Sequence, residues 1–302
     1  LERKITIFHA EIVKKLNLSD ETIIGFHGQT IYHNPEEKIS KQLGNGNLLN
    51  QLTNKNVIYN FRNNDILNGG QGAPLTPVFH KLISLQNKIK LPICFLNIGG
   101  ISNITVVQCK ENLHTLISKD IGPGNCLIDN WVRKNSSKKF DLDGQLASSG
   151  IKNEIIFEQA QELYVNRNNK KKLSFDTNDF DISFVRGLNL EDGVATLTDF
   201  TASIIGEELS LTFKSLKKKV REVLLCGGGR KNSILIKKIK DNLPSNINLK
   251  LIDDYKIDGD FIESQAFAFL AVRSILKLPI SFPNTTGCIK SSTGGELIKK
   301  LN

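Results

Sequence analysis

D-I-G-P-G-N-C-L-I-D-N-W, running from Asp120 to Trp131, is the stretch whose reading decides the fold. The residues before it, Leu113 to Ser118, are rich in apolar and β-branched types and predict a strand. Gly122, Pro123 and Gly124 then break the chain, because glycine tolerates positive φ and proline fixes φ without donating a hydrogen bond. Asn125 suits a helix N-cap, and Leu127, Ile128 and Trp131 recur three and four apart, as one helix face requires. The pattern puts Asp120 at the carboxyl end of a strand, beside a glycine turn and a helix N-terminus. Open α/β folds place reacting groups there. An Asp that only caps the turn fits the same pattern equally well.

Two further glycine turns flank this stretch. I-C-F-L-N-I-G-G at 93–100 and I-S-N-I-T-V-V-Q at 101–108 predict two strands joined as a hairpin. The amides of Gly99 and Gly100 in its turn can cradle phosphate oxygens, although such turns are commonly structural. L-L-C-G-G-G-R-K-N at 224–232 predicts a buried strand, a triple-glycine turn and a helix. Gly227, Gly228 and Gly229 let the backbone pass close under a flat ring or sugar, with Asn232 in reach. It is neither a Walker A loop nor a dinucleotide fingerprint, since G-K-[ST] and G-x-G-x-x-G are both missing.

Toward the amino end, residues 1–20 predict a helix, with Ile5, Phe8, Ile12 and Leu16 at helical spacing. T-I-I-G at 22–25 is a short strand that runs into F-H-G-Q-T at 26–30. His27, Gln29 and Thr30 there are orienting groups for a polyhydroxylated ligand. His27 as a satisfied core histidine is the equal alternative. A loop at 41–47 precedes a helix to Thr53, and V-I-Y-N-F at 57–61 is a strand that leads to Arg62 and Asp65. G-G-Q-G-A-P-L-T-P at 69–77 cannot be regular structure; it is a tight loop around Gln71, followed by a helix over 78–88.

Toward the carboxyl end, F-D-L-D-G at 140–144 resembles half a calcium loop without its remaining ligands, and that reading is dismissed. Helices are expected over 150–163, 191–215 and 261–276, the last carrying Glu263. The stretch 166–189 reads as irregular, and a strand is expected at 249–252.

The 302 residues suffice for two domains, and the net charge of +9 is dispersed along the chain. No aromatic-interleaved basic patch accompanies it, so no nucleic-acid partner is expected. Lys170–Lys172 and Lys217–Lys219 read as solvated faces. No apolar run reaches the ~18 residues of a membrane span. Five cysteines, at 94, 109, 126, 226 and 288, lack metal-site spacing and read as free thiols of a reducing cytoplasm.

Taken in order, these motifs resemble one family, the anhydro-N-acetylmuramic acid kinases of the actin, hexokinase and Hsp70 ATPase superfamily. The matching stretches are G-F-H-G-Q-T-I-Y-H at 25–33, N-F-R-N-N-D at 60–65, G-G-Q-G-A-P-L at 69–75 and N-I-G-G-I-S-N-I-T at 97–105. D-I-G-P-G-N-C-L-I-D-N-W at 120–131, L-C-G-G-G at 225–229 and E-S-Q-A-F-A-F-L-A-V-R at 263–273 complete the set. Each is weak alone; seven in order are specific.

The resemblance implies an α/β fold of two RNase-H-like, actin-like ATPase lobes around a central cleft. Residues 1–90 would form lobe one, with 281–302 returning to it, and residues 91–280 lobe two. The implied enzyme is cytoplasmic and uses ATP and Mg²⁺. It opens 1,6-anhydro-N-acetylmuramic acid with water and phosphorylates O6 to N-acetylmuramic acid 6-phosphate, a step in peptidoglycan recycling. Asp120 would be the base that activates water, with Asp129 in reserve. His27, Gln29, Arg62, Gln71 and Glu263 would hold the sugar, Arg62 suiting its lactyl carboxylate. Gly99, Gly100, Asn103, Gly122, Gly124, Asn125, Gly227, Gly228, Gly229 and Asn232 would line the ATP site. No metal ligand is assigned, no nucleic-acid or membrane partner is expected, and a homodimer is what the family suggests.

The sequence departs from the family at three places. It begins at Leu1, contains no Met and lacks the opening G-T-S-x-D-G, so lobe one is expected to lack its amino-terminal phosphate hairpin. Q-L-G-N at 42–45 and N-F-R at 60–62 carry Asn where the family has Asp. Two alternatives follow: a kinase for another sugar, and an inactive remnant that serves as a binding or scaffold protein.

Overall fold

The computed structural model describes residues 1–166, 175 and 177–300. The chain starts α1 (Glu2–Lys15), β1 (Ile23–Gly25), β2 (Gln29–Asn34), β3 (Ile39–Leu43), α2 (Gly46–Thr53) and β4 (Asn56–Tyr59). It continues α3 (Asn63–Leu67), α4 (Pro77–Gln86), β5 (Ile93–Ile98), β6 (Ile101–Val107), β7 (Ile117–Pro123) and α5 (Cys126–Asn135). Next come α6 (Gln145–Ser149), α7 (Glu154–Asn166), α8 (Leu190–Lys214), β8 (Glu222–Cys226) and α9 (Ser233–Asp241). The chain closes β9 (Asn248–Leu251), α10 (Ile262–Ile275), α11 (Pro283–Thr286) and β10 (Glu296–Ile298). The run Lys170–Lys172 lies outside the described residues.

These elements form two units. The first comprises Leu1–Gln86, Lys110–Ser118 and Phe261–Asn302. Its sheet has the order β1-β4-β10, with β1 parallel and β10 antiparallel to β4. β2 and β3 pair as a separate antiparallel hairpin. The returning segment starts at Phe261 rather than at 281. The cause is apolar: Phe267, Leu270 and Ala271 on α10 are buried with Ile58, Phe61 and Leu75 in one core.

The second unit comprises Asn87–Cys109 and Lys119–Asp260. Its sheet has the order β7-β6-β5-β8-β9: β5 pairs antiparallel with β6 and parallel with β8, and β8 pairs parallel with β9. This is the RNase-H-like pattern of a hairpin followed by parallel strands. Leu127, Ile128 and Trp131 of α5 pack with Val194, Leu197, Phe200 and Ile204 of α8, as the helical spacing predicts. The Trp131 indole N–H, buried with them, donates to the Leu190 carbonyl at 3.1 Å.

One expectation at the centre is corrected. Leu113–Thr115 is a single 3₁₀ turn, started by the Asn112 side chain, which accepts the His114 amide at 2.8 Å. The strand begins at Ile117 and runs through Pro123, so Asp120 is its fourth residue and does not lie past its end. Gly122 sustains the strand at φ +144°, and a Cβ there would lie 2.6 Å from Ile204 Cγ2. Only glycine satisfies both demands. Among the described residues no helix is long and apolar enough to cross a membrane.

Candidate functional site

In the second unit the three glycine turns meet. The Gly124 and Cys126 amides donate to Gly100 O at 2.8 and 3.1 Å, and the Asn125 amide donates to Gly99 O at 2.8 Å. The Asn125 side-chain amide adds a bond to Gly99 O at 3.2 Å. Asn125 therefore holds the hairpin turn instead of capping α5 with its side chain. The triple-glycine turn packs on the same hairpin, since a Cβ on Gly227 would meet Asn97 Oδ1 at 2.5 Å. Gly228 opens to free space. Asn103 faces Asn97 across the β5–β6 register.

Some expected donors are spent within the fold. The Gly99 amide donates to Ile101 O at 3.2 Å, and Asn232 Oδ1 caps α9 by accepting the Leu235 amide at 3.0 Å. Gly122 packs on Ile204, as above. The half-buried Asp120 accepts the Phe175 amide through Oδ2 at 2.8 Å.

A cavity of about 490 Å³ opens beside Gly228. Asn125, Ile128, Asp129, Phe140, Asp141, Leu142, Asp143, Lys231 and Asn232 line the rest of it. Asp129 thus belongs to this cavity, whereas Asp120 does not line it. The Asp129 carboxyl is pushed up to about 6, chiefly by burial; Arg133 opposes the shift and Asp141 adds to it. The F-D-L-D-G stretch, dismissed as a calcium loop, supplies four of the lining residues. Asp141 itself is occupied, accepting the Leu146 and Ala147 amides at 2.8 and 3.1 Å.

Arg230 fixes the glycine turn from behind. Its buried guanidinium pairs with Asp253 at 2.8 and 3.1 Å and with Asp260 at 2.8 Å, and donates to Gly227 O at 3.0 Å. These carboxylates hold its pKa above the ordinary arginine range. Sequence reasoning missed this clamp, because a lone Arg after glycines carries no signature of distant acids.

In the first unit, Arg62 donates from Nε to His27 Nε2 at 3.0 Å and from one terminal nitrogen to Gly72 O at 2.7 Å. His27 Nδ1 lies 2.9 Å from Gly28 O, so the ring carries its proton on Nδ1. The ring also packs on Phe267, with centroids 4.3 Å apart. Glu263 sits one turn earlier on α10, exposed. Gln71 donates its amide to Thr286 O at 2.7 Å, while Gln29 is exposed at the start of β2. The buried Asp65, which the sequence reading left without a role, accepts the Gly72 amide and the Thr286 hydroxyl, each at 2.7 Å.

The five cysteines are free, with Cys94, Cys226 and Cys288 buried. Burial pushes the Cys126 thiol up to about 11, which disfavours its thiolate at neutral pH. Among the described residues no cluster of three His, Cys, Asp or Glu side chains could hold a metal.

Three glycine turns thus converge in an α/β unit, and comparison with known proteins gives the family. The family described as anhydro-N-acetylmuramic acid kinase matches residues 2–300. A protein of that name from Pelagibacter ubique is 58% identical, over 99% of this chain and 80% of its own length. Those from Zymomonas mobilis and Agrobacterium fabrum are 37% and 35% identical, over 98% and 99% of this chain and 80% of each relative. Among solved structures, gluconate kinase from Lactobacillus acidophilus is similar with a TM-score of 0.39 at 14% identity, over 70% of this chain and 43% of that one. The chain belongs to the anhydro-N-acetylmuramic acid kinase family, and is a kinase, a transferase of sugar metabolism.

Proposed function

We propose that this kinase uses ATP to convert 1,6-anhydro-N-acetylmuramic acid to N-acetylmuramic acid 6-phosphate, as a cytoplasmic step of peptidoglycan recycling. Asp120 takes a proton from water as the water oxygen bonds to the anomeric carbon. The bond from that carbon to O6 breaks, and O6 takes up the γ-phosphoryl group as ADP leaves. The meeting of the glycine turns carries this reading: Asp120 lies on the strand that leads into one of them, and Gly228 of another opens to free space. Gly100 and Gly228 are the points of close backbone approach, and Arg62, Gln71 and Glu263 the sugar contacts.

Among the described residues no cluster of three acids, Cys or His could hold a metal, so Mg²⁺ would come in on the nucleotide, bound chiefly by its phosphates. When bound it neutralises charge on the γ-phosphate.

The test is turnover in ¹⁸O-labelled water with the anhydro sugar and Mg·ATP, read by mass spectrometry. One ¹⁸O at the anomeric carbon and phosphate on O6 are expected. A phosphorylated product that retains the anhydro ring, or no product, would overturn the reading.

A further inference from the structure

We propose that Asp65 is a positioning residue for the sugar site: it holds the Gly72 amide so that the Gly72 carbonyl is aimed at Arg62, and thereby sets the guanidinium and Gln71 where the sugar meets them. This rests on the reading of Arg62 and Gln71 as sugar contacts and deepens it.

The loop at 70–72 is built around this acid. Three consecutive amides are tied down: Gly70 donates to Asp65 O at 2.9 Å, Gln71 to Thr286 O at 2.7 Å and Gly72 to Asp65 Oδ2 at 2.7 Å. Close approach demands the glycines on either side of Gln71. A Cβ on Gly70 would lie 2.2 Å from Asp65 Oδ2, and one on Gly72, at φ +69°, would meet Ile66 Cδ1 at 2.8 Å. Gln71 is therefore flanked by backbone with no room to shift, while Gln71 itself is only partly buried.

A single residue separates the acid from the guanidinium. The Gly72 carbonyl accepts from Arg62 at 2.7 Å, at the opposite end of the residue whose amide Asp65 holds. With Nε bound to His27 at 3.0 Å, two donors of Arg62 meet fixed acceptors, and these set the plane of the fork. Asp65 is 1% exposed, and a carboxylate so buried is costly unless its hydrogen bonds are made. Apolar packing would fill the space without that cost, but it cannot orient an amide. The other carboxylate oxygen accepts the Thr286 hydroxyl at 2.7 Å. The two oxygens thus serve two groups, which lets their roles be tested apart.

The test compares KM for the anhydro sugar, KM for Mg·ATP and melting temperature across four variants. Asp65→Ala releases the Gly72 amide and should raise KM for the sugar about ten-fold or more, with KM for Mg·ATP within about two-fold of the parent. Asp65→Asn keeps an acceptor for that amide and offers its own NH₂ to the Thr286 hydroxyl oxygen; it should restore the sugar KM to within about three-fold of the parent. Thr286→Val removes the bond to the other oxygen, and should lower the melting temperature while leaving the sugar KM within about two-fold. Arg62→Ala should raise the sugar KM at least as far as Asp65→Ala does. Asp65→Ser, whose hydroxyl falls short of the amide, repeats the measurement should Asp65→Ala not fold.

Matching rises of sugar KM in Thr286→Val and Asp65→Ala would overturn the role of Asp65 in favour of a plain structural tie. So would an unchanged sugar KM in Asp65→Ala beside a raised one in Arg62→Ala, and the sugar contacts would then stand. An unchanged sugar KM in Arg62→Ala would overturn the reading on which the proposal rests.

Discussion

Arg62 Nε donates to His27 Nε2 at 3.0 Å, so the histidine faces a guanidinium with its lone pair and cannot take up a proton there. Burial first and the Arg62 charge second pull its pKa from 6.5 to about 3, against the Gly28 carbonyl. In the unfolded chain His27 binds a proton below about 6.5, and in the folded protein only near 3. The stability it contributes is therefore full above pH 6.5 and lost progressively as pH falls toward 3. The buried His80, also lowered to about 3 by burial, acts in the same direction. NMR titration should show the His27 ring neutral from pH 5 to 8; an inflection near 6.5 would contradict the pairing.

Asp120→Asn keeps an oxygen for the Phe175 amide but cannot accept a proton. Turnover should fall by roughly two to four orders of magnitude, the ordinary weight of general-base catalysis. Nucleotide Kd and melting temperature should move little. Retained turnover would return Asp120 to the role of a strand residue that anchors Phe175.

Asp129→Asn should stabilise the protein at neutral pH. The folded carboxyl titrates near 6 against an ordinary 3.8, so the folded state holds its proton over that interval and loses stability as pH rises through it. The amide escapes that loss. Thermal melts should show the variant above the parent at pH 7.5 and the two converging at pH 4; a lower melting temperature at pH 7.5 would refute the assignment.

Asp65→Ala leaves the Gly72 amide and the Thr286 hydroxyl without their acceptor in a buried place. A loss of about 2–4 kcal/mol is expected, from two unsatisfied groups and a small void. Thr286→Val, which removes one bond of the pair, should cost about half as much. Urea unfolding measures both, and a neutral Asp65→Ala would show that this acid is not the tie it looks to be.

Two glycines separate folding from binding. A Cβ on Gly124 would lie 2.3 Å from Gly99 O, so Gly124→Ala should force the two turns apart and lower stability by about 1–3 kcal/mol. A Cβ on Gly228 meets nothing. Gly228→Ala should change stability by about 0.5 kcal/mol or less while raising KM for ATP several-fold. Thermal melts together with nucleotide kinetics decide; an unchanged KM would remove Gly228 from the nucleotide site.

Elements with a strong local period were legible: α5, α8, the β5–β6 hairpin and the strand–glycine–helix at 222–241 follow from apolar spacing and turn residues. What failed to show depends on partners remote in sequence. Asn60 stands where relatives are expected to carry Asp; here it adopts φ +58°, which suits Asn, and donates its side-chain amide to Glu296. A second carboxylate there would meet Glu296 with like charge. Asn45 caps α2 by accepting the Leu48 amide at 2.9 Å, a task that Asn and Asp share. Both departures are thus accommodated locally. The Asp141 and Asp143 pair looked like a cation loop because the amides that occupy it, up to Ser233, cannot be located from its own few residues.

The first unit has a consequence for how the chain comes into being. β4 receives β1 on one edge early in the sequence, but its other edge waits for β10, where Leu297 lies opposite Ile58. Synthesis proceeds from the amino terminus, and domains fold as their residues emerge. On the ribosome, β5 to β9 are therefore all available before β4 can be closed. A nascent chain stalled short of residue 296 would carry a finished second sheet together with a first one reduced to β1 and β4.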